Sequence, residues 1–209
     1  MKFSAMNRWI CALGATVLLG GSLSACVGPL LVGGAVVGGG MVVADRRTSG
    51  TQLEDEGIEL RGASQVRANL GTRARVNLAS YNRKVLMTGE VPSLKDKEWV
   101  ERLIMQVENV NSVVNDLEVQ DSPSFAVRSS DVLLSGRVKA MLVDAADLKL
   151  NAFKLVVERG TVYLMGRVTQ RESDRATEVV RTTPGVQKVV RVLEIISEDE
   201  LARLRSSSL

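Results

Sequence analysis

Histidine is absent from this chain, aromatic residues make up only 3% of it, and neither of its two cysteines lies beyond residue 26. Without histidine there is no Ser-His or Cys-His nucleophile pair, no usual zinc site and no imidazole acid-base group near neutral pH. A hydrolase working through carboxylates alone stays open in principle, but no spacing brings two Asp or Glu into a recognisable motif. The chain therefore reads as a non-enzyme with no metal and no cofactor. Cys11 sits in an apolar run and Cys26 at its end, so no pair is left for a structural disulfide. An excess of one charge is missing too. Once Lys2 and Arg8 are set aside with the leader, 25 basic residues face 24 acidic ones. The pI near 9.0 is then no sign of a nucleic-acid binder, whose basic residues would form an excess or a stripe.

What is present starts with a basic head (Lys2, Arg8), an apolar run from Trp9 to about Gly20, and then Leu23-Ser24-Ala25-Cys26. This is the charged, apolar, small-residue order of a secretory signal peptide ending on a cysteine. It resembles a lipobox, in which small Ser24 and Ala25 admit the peptidase and the Cys26 thiol takes the lipid. A plain signal peptide with a chance cysteine is the alternative. The first reading makes residues 1–25 a leader and Cys26 a lipidated N-terminus outside the cytoplasm, since several acyl chains hold a protein on a bilayer stably.

Residues 26–57 then form the lipidated cysteine, an apolar segment and a linker. Residues 27–44 carry no charge and six glycines, with Gly34 and Gly38 in GxxxG spacing. Eighteen uncharged residues reach the lower limit of a membrane span, but glycines are poor helix formers. A membrane-hugging or self-associating segment and a flexible tether both fit. Asp45-Arg46-Arg47 ends the segment, and Thr48 to Gly57 reads as polar linker.

From about Glu59 the chain repeats itself. Leu86-Met87-Thr88-Gly89-Glu90-Val91 returns as Tyr163-Leu164-Met165-Gly166-Arg167-Val168, and Ser112–Val119 returns as Lys188–Ile195. The offsets are 77 and 76 residues, the signature of two copies of one small domain. Each copy predicts a helix (58–71; 131–144) and two strands (75–80 and 84–91; 152–157 and 161–168). Polar turns join the strands at Tyr81-Asn82-Arg83 and Glu158-Arg159-Gly160. A second helix follows, opened by Ser93-x-x-Asp96 and Thr169-x-x-Glu172, which resemble capping boxes. Trp99, Leu103 and Val107 form its expected core stripe, with Val100 and Ile104 beside it. Asn109 and Pro184-Gly185 stop these helices, and a third strand (112–119; 188–195) closes each unit. The expected fold is α+β, two tandem αββαβ domains with two helices on a three-stranded mixed sheet. Their spans are 58–120 and 131–197, with a linker at 121–130 and a C-terminal tail at 198–209.

This order, the apolar-Gly-x-Val end of the second strand and the break before the third resemble the BON domain. Gly50-Thr51-Gln52-Leu53-Glu54-Asp55 and Val162 to Glu172 carry the likeness most closely. Two such domains behind a lipobox are similar to the dual-BON outer-membrane lipoproteins of the division- and outer-membrane-stress-associated lipid-binding type. The resemblance implies binding of anionic phospholipid by the second domain and a role in envelope integrity. Val27 in place of aspartate after the cysteine is similar to the default for transfer to the outer membrane, on its periplasmic face. The family's lipid-facing helix can carry an exposed aromatic near its start. Here Leu133 stands at the matching place, an apolar plug without the interfacial preference of tryptophan.

At 100° per residue, helix 58–71 has one apolar face (Leu60, Ala63, Val66, Leu70) and a polar side (Arg61, Ser64, Gln65, Asn69). Helix 131–144 has two. Leu134, Val138, Met141 and Leu142 point to the core. Val132, Leu133, Gly136, Ala140 and Val143 form a second apolar face, with Arg137 and Lys139 at its margins. Such a strip suits an anionic bilayer surface, so Val132, Leu133, Gly136, Arg137, Lys139 and Ala140 are the candidate lipid-binding residues. Packing of this face on the first domain is the competing expectation, because exposed apolar patches mark either kind of partner. A periplasmic scaffold binding an envelope protein or the cell-wall machinery is the alternative function.

Overall fold

The structure, a computed structural model, describes residues 45–120 and 124–206. Cys26, the Gly34/Gly38 pair and the leader lie outside the described residues. The first copy runs α1 (Ser49–Leu70), β1 (Arg75–Tyr81), β2 (Lys84–Val91), α2 (Leu94–Met105) and β3 (Ser112–Val119). The second runs α3 (Phe125–Asp144), a single 3₁₀ turn (Leu150–Ala152), β4 (Lys154–Glu158), β5 (Thr161–Thr169), α4 (Gln170–Arg181) and β6 (Lys188–Ile196). A last helix, α5 (Glu198–Ser206), occupies the expected tail.

Each sheet is mixed. β1 pairs antiparallel with β2 and β2 parallel with β3, and β4, β5 and β6 repeat the pattern. Both hairpins close through two residues in the left-handed region, Asn82 and Arg83 (φ 50° and 63°) and Arg159 and Gly160 (φ 48° and 72°). That twist matches the twist of the flanking strands. Gly89 and its equivalent Gly166 explain the Gly-x-Val signature. A Cβ at either would lie 2.0 or 2.3 Å from a carbonyl oxygen of the neighbouring segment, Arg75 O or Ala152 O.

The first helix of each copy starts well before its expected residue. Thr48 caps α1 by accepting from the Thr51 amide, and Ser124 caps α3 by accepting from the Val127 amide. Residues read as linker at 49–57 and 125–130 are therefore helical. The first turn of α1 is polar and that of α3 is followed by Arg128-Ser129-Ser130, so no sustained apolar period marks either entry, and the caps supply the start instead. The second helices begin at the expected caps. Thr169 and Glu172 make the reciprocal box, whereas Ser93 accepts from the Asp96 amide and donates to the Asp96 carboxylate.

Helix phases shift in three places. Val100 and Ile104 are fully buried on α2, while Trp99 and Leu103 are only half-buried at the edge of that core, one position off the expected stripe. On α1 the inward residues are Ile58, Gly62, Val66 and Leu70, so Leu60 and Ala63 leave the predicted core face, Leu60 with 72% exposure. On α3, Leu134, Val138 and Leu142 are buried and Met141 is exposed. Start positions set phase, and one turn misplaced at a helix entry misassigns the residues at the edge of a stripe.

Each copy has its own apolar core between helices and sheet. A third cluster joins the copies. Ala79, Tyr81 and Leu86 from the first sheet meet Tyr163, Met165 and Val192 from the second. The two sheets thus bury both faces, which is why β2 and β5 carry unbroken apolar runs (Val85-Leu86-Met87; Tyr163-Leu164-Met165) in place of alternation. Polar links rim this contact. Arg75 pairs with Glu90 of its own copy and Glu158 of the other, Arg159 with Glu90, and Tyr163 donates to Asp116 at 2.7 Å. Burial and that carboxylate push the Tyr163 phenol well above its ordinary value. Tyr81, buried on the other side of the contact, is raised to about 12, with Arg47 stacked 4.1 Å over its ring. Arg46 forks onto Glu172 with both bonds at 2.7 Å and adds a third bond to Arg167 O, fixing the segment before α1 against the second copy. The inner packing of the two copies is sheet on sheet. It leaves the outer face of α3 uncovered.

Candidate membrane-docking helix

α3 is held to its sheet by one carboxylate as well as by its apolar stripe. Asp131 accepts from the Arg159 amide at 2.9 Å and the Gly160 amide at 3.0 Å, satisfying both donors of the β4–β5 turn. Asp55 does the same in the first copy for the Asn82 and Arg83 amides, each at 2.8 Å, and takes Ser80 Oγ and Arg47 as well. These staples fix the rotation of each helix, and so decide what points outward.

On α3 the outward series is Phe125, Val132, Leu133, Gly136, Ala140 and Val143, all exposed. Phe125 is 78% exposed, Val132 71% and Leu133 69%. A Cβ at Gly136 would meet nothing within 4 Å, so the strip is flat and open at its middle. Arg128 and Lys139 flank the strip on one side and Arg137 on the other. The predicted Val132, Leu133, Gly136, Lys139 and Ala140 thus share one open face. Arg137 borders it but also donates to Pro184 O at 2.5 Å, bracing the turn before β6. Cys26 lies outside the described residues.

Phe125 and Arg128 were not among the expected site residues. The helix entry hid them, although Phe125 continues the i, i+3, i+4 series backwards from Val132 through Ser129. Phe125 also supplies the aromatic near the helix start that Leu133 was expected to replace with an aliphatic side chain.

Two clefts run beside α3. One of about 540 Å³ lies between α3 and the turns at Arg159-Gly160 and Gly185–Gln187. The other, of about 310 Å³, lies towards the first copy and is walled by Arg75, Asn77, Arg128, Val132 and Glu158. Among the described residues no helix is long and apolar enough to cross a membrane, and no group of His, Cys, Asp or Glu is placed to hold a metal.

The described residues thus form two small α+β domains packed sheet to sheet, with an uncovered apolar helix face edged by cations on the second. The BON domain family profile matches residues 61–121 and 130–197. The chain is 36% identical over 198 residues to Outer membrane lipoprotein DolP of Haemophilus influenzae, covering 94% of this chain and 100% of that one. It is 31% identical over 154 residues to the 21 kDa hemolysin of Actinobacillus pleuropneumoniae, covering 73% of this chain and 79% of that protein. Over 117 residues it is 27% identical to Osmotically-inducible protein Y of Escherichia coli, covering 54% and 58%. The chain belongs to the BON-domain family, as one of its two-domain outer-membrane lipoproteins.

Proposed function

We propose that this protein is a non-catalytic envelope module, held by acyl chains on Cys26 at the periplasmic face of the outer membrane. In this reading it binds anionic phospholipid through the outer face of α3 and supports outer-membrane integrity. The observation that carries the reading is the uncovered face from Phe125 to Val143, apolar but for Ser129 and cationic at its edges. Burying a large apolar side chain such as Leu133 in a bilayer interface contributes roughly 1.5–3 kcal/mol. Each Lys or Arg near an anionic surface adds about 1 kcal/mol, less as salt rises.

Vesicle flotation tests this with residues 45–209, which contain all three apolar clusters and so carry the fold without the anchor. Leu133→Glu should lose most flotation with anionic vesicles while melting as the parent does, because the side chain is solvent-exposed. Arg128→Gln with Lys139→Gln should weaken binding mainly at low salt and only to anionic vesicles. Flotation of Leu133→Glu at the parental level would move the site elsewhere.

A further inference from the structure

The two copies differ around one surface arginine in a way that opens a site. In the first copy Arg61 donates to Glu108 O at 3.2 Å and to the Glu54 carboxylate at 2.6 Å, and Asn109 donates to the same carboxylate oxygen at 3.1 Å. Those two donors hold the Glu54 carboxyl below its usual range. At the repeat offset of 76 residues, Arg61 becomes Arg137, Glu108 becomes Pro184, Glu54 becomes Ser130 and Asn109 becomes Gly185. The arginine and its carbonyl contact are kept, with Arg137 donating to Pro184 O at 2.5 Å. The carboxylate and the amide that filled the space are gone. Ser130 turns its hydroxyl to its own helix, onto Ala126 O at 3.0 Å. Among the described residues Arg137 is left with no carboxylate partner, facing the 540 Å³ cleft. Asp131 also borders that cleft, but both its oxygens are taken by the turn amides of Arg159 and Gly160.

We infer that this cleft receives the phosphodiester monoanion of a phospholipid headgroup, which takes the place that Glu54 holds in the first copy. Arg137 faces the phosphate and Gln187 lines the opposite wall. Val127 and Leu133 carry the apolar wall out to the exposed strip, so headgroup and acyl region follow one continuous surface. A guanidinium suits this role because its planar fork binds phosphate oxygens in pairs. The inference rests on the docking of α3 proposed above and assigns the headgroup subsite within it.

Ser130→Glu tests it by restoring the first copy's carboxylate at an exposed position, and Ser130→Gln adds the same bulk without charge. Two readouts are taken on residues 45–209. One is the Arg137 Nε and Gly185 amide signals during titration with glycerophosphoglycerol or with inorganic phosphate. The other is the preference for phosphatidylglycerol-containing over pure phosphatidylcholine vesicles. The diester should move the Arg137 signal in the parent and not in Ser130→Glu. The anionic preference should fall about fivefold in Ser130→Glu, the loss of one cation at the surface, and clearly less in Ser130→Gln. An unchanged preference in Ser130→Glu, with parental flotation intact, overturns the subsite and leaves docking by α3 standing. Response to inorganic phosphate alone overturns the lipid assignment. A diester response in a chain that floats with no vesicle would instead remove the docking reading and leave the phosphodiester site.

Discussion

Helix α1 turns Glu56, Gly57, Leu60 and Arg67 outward at the four positions where α3 turns Val132, Leu133, Gly136 and Val143. The inward positions of the two helices are alike in kind: Ile58 and Leu134, Val66 and Leu142, with Asp55 and Asp131 stapling the hairpin turn in each. Gly62 departs from Val138 only because Leu78 and Ile104 crowd it, a Cβ there falling 2.6 Å from Leu78 Cδ1. Packing thus fixes one face of each helix and leaves the other free. The exposed Leu53 and Leu60 of α1 lie two turns apart with Glu56 between them, whereas Val132, Leu133, Gly136, Ala140 and Val143 of α3 follow one another without a polar break. Where two copies share a fold, the residues that differ on the unconstrained face are the ones that report function.

The contrast between faces is broken most sharply inside α3 itself. Leu142 is fully buried and Val143 beside it is exposed. Leu142→Ala should cost about 2–5 kcal/mol, the range for large-to-small core changes. Val143→Ala should stay within about 0.5 kcal/mol in stability, as surface changes do, while lowering vesicle binding. Urea denaturation and flotation on the same pair separate the two effects. Equal losses of stability would mean that the outer face is covered. The parallel pair in α1, Val66→Ala and Arg67→Ala, should show the stability difference and no binding difference.

The staples come next in size. Asp55 holds four donors and Asp131 two, so Asp55→Asn should cost about 3 kcal/mol and Asp131→Asn about 1–2 kcal/mol. Burial alone would raise the Asp55 carboxyl, but Ser80, the Arg83 and Asn82 amides and Arg47 together hold it below its ordinary value. Glu172 is likewise held down against burial by Arg46 and the Thr169 amide. A lowered folded-state value means stability that is fully present above the unfolded carboxylate range of about 4 and lost as pH falls through the folded values. Melting temperature should therefore drop steeply below about pH 4, and Asp55→Asn with Glu172→Gln should flatten that drop. An unaltered acid slope in the double variant would show that other carboxylates govern it.

Much of this architecture is legible in the sequence because the repeat checks itself. Strand positions, both polar turns, the two capping residues Ser93 and Thr169 and the glycine of each Gly-x-Val end recur at an offset of 76 or 77 residues. The sheet-on-sheet contact was the largest omission. Its trace was the apolar run in β2 and β5, which marks strands covered on both faces, but such a run does not say what covers the second face. The helix entries failed for a local reason. Thr48 and Ser124 are caps in register with the repeat, yet the turns they open are polar in α1 and mixed in α3. The same omission hid Phe125. Arg137 shows the opposite limit: its position at the edge of the strip is visible from periodicity, its carbonyl contact with Pro184 is not.

Phe125 offers the smallest expected effect and the finest test of how far the two helices diverge. It is the first residue of α3, 78% exposed, and its counterpart at the start of α1 is Ser49. An aromatic at that end would sit at headgroup depth, where amphipathic rings are favoured and phenylalanine is buried only in part. Partial burial should give up about 1 kcal/mol in Phe125→Ala, or roughly a fivefold loss of vesicle affinity, out of the larger value for full burial. Stability should be unchanged, since the ring leaves no core contact behind. Phe125→Trp should bind as tightly as the parent or better, by the stronger interfacial preference of indole. Ser49→Phe in α1 should add little, because the exposed Leu53 and Leu60 on that face are interrupted by Glu56 and end at Arg67. Parental affinity in Phe125→Ala would confine membrane contact to the part of α3 beyond Ser129, and the two copies would then differ over three turns of helix instead of five.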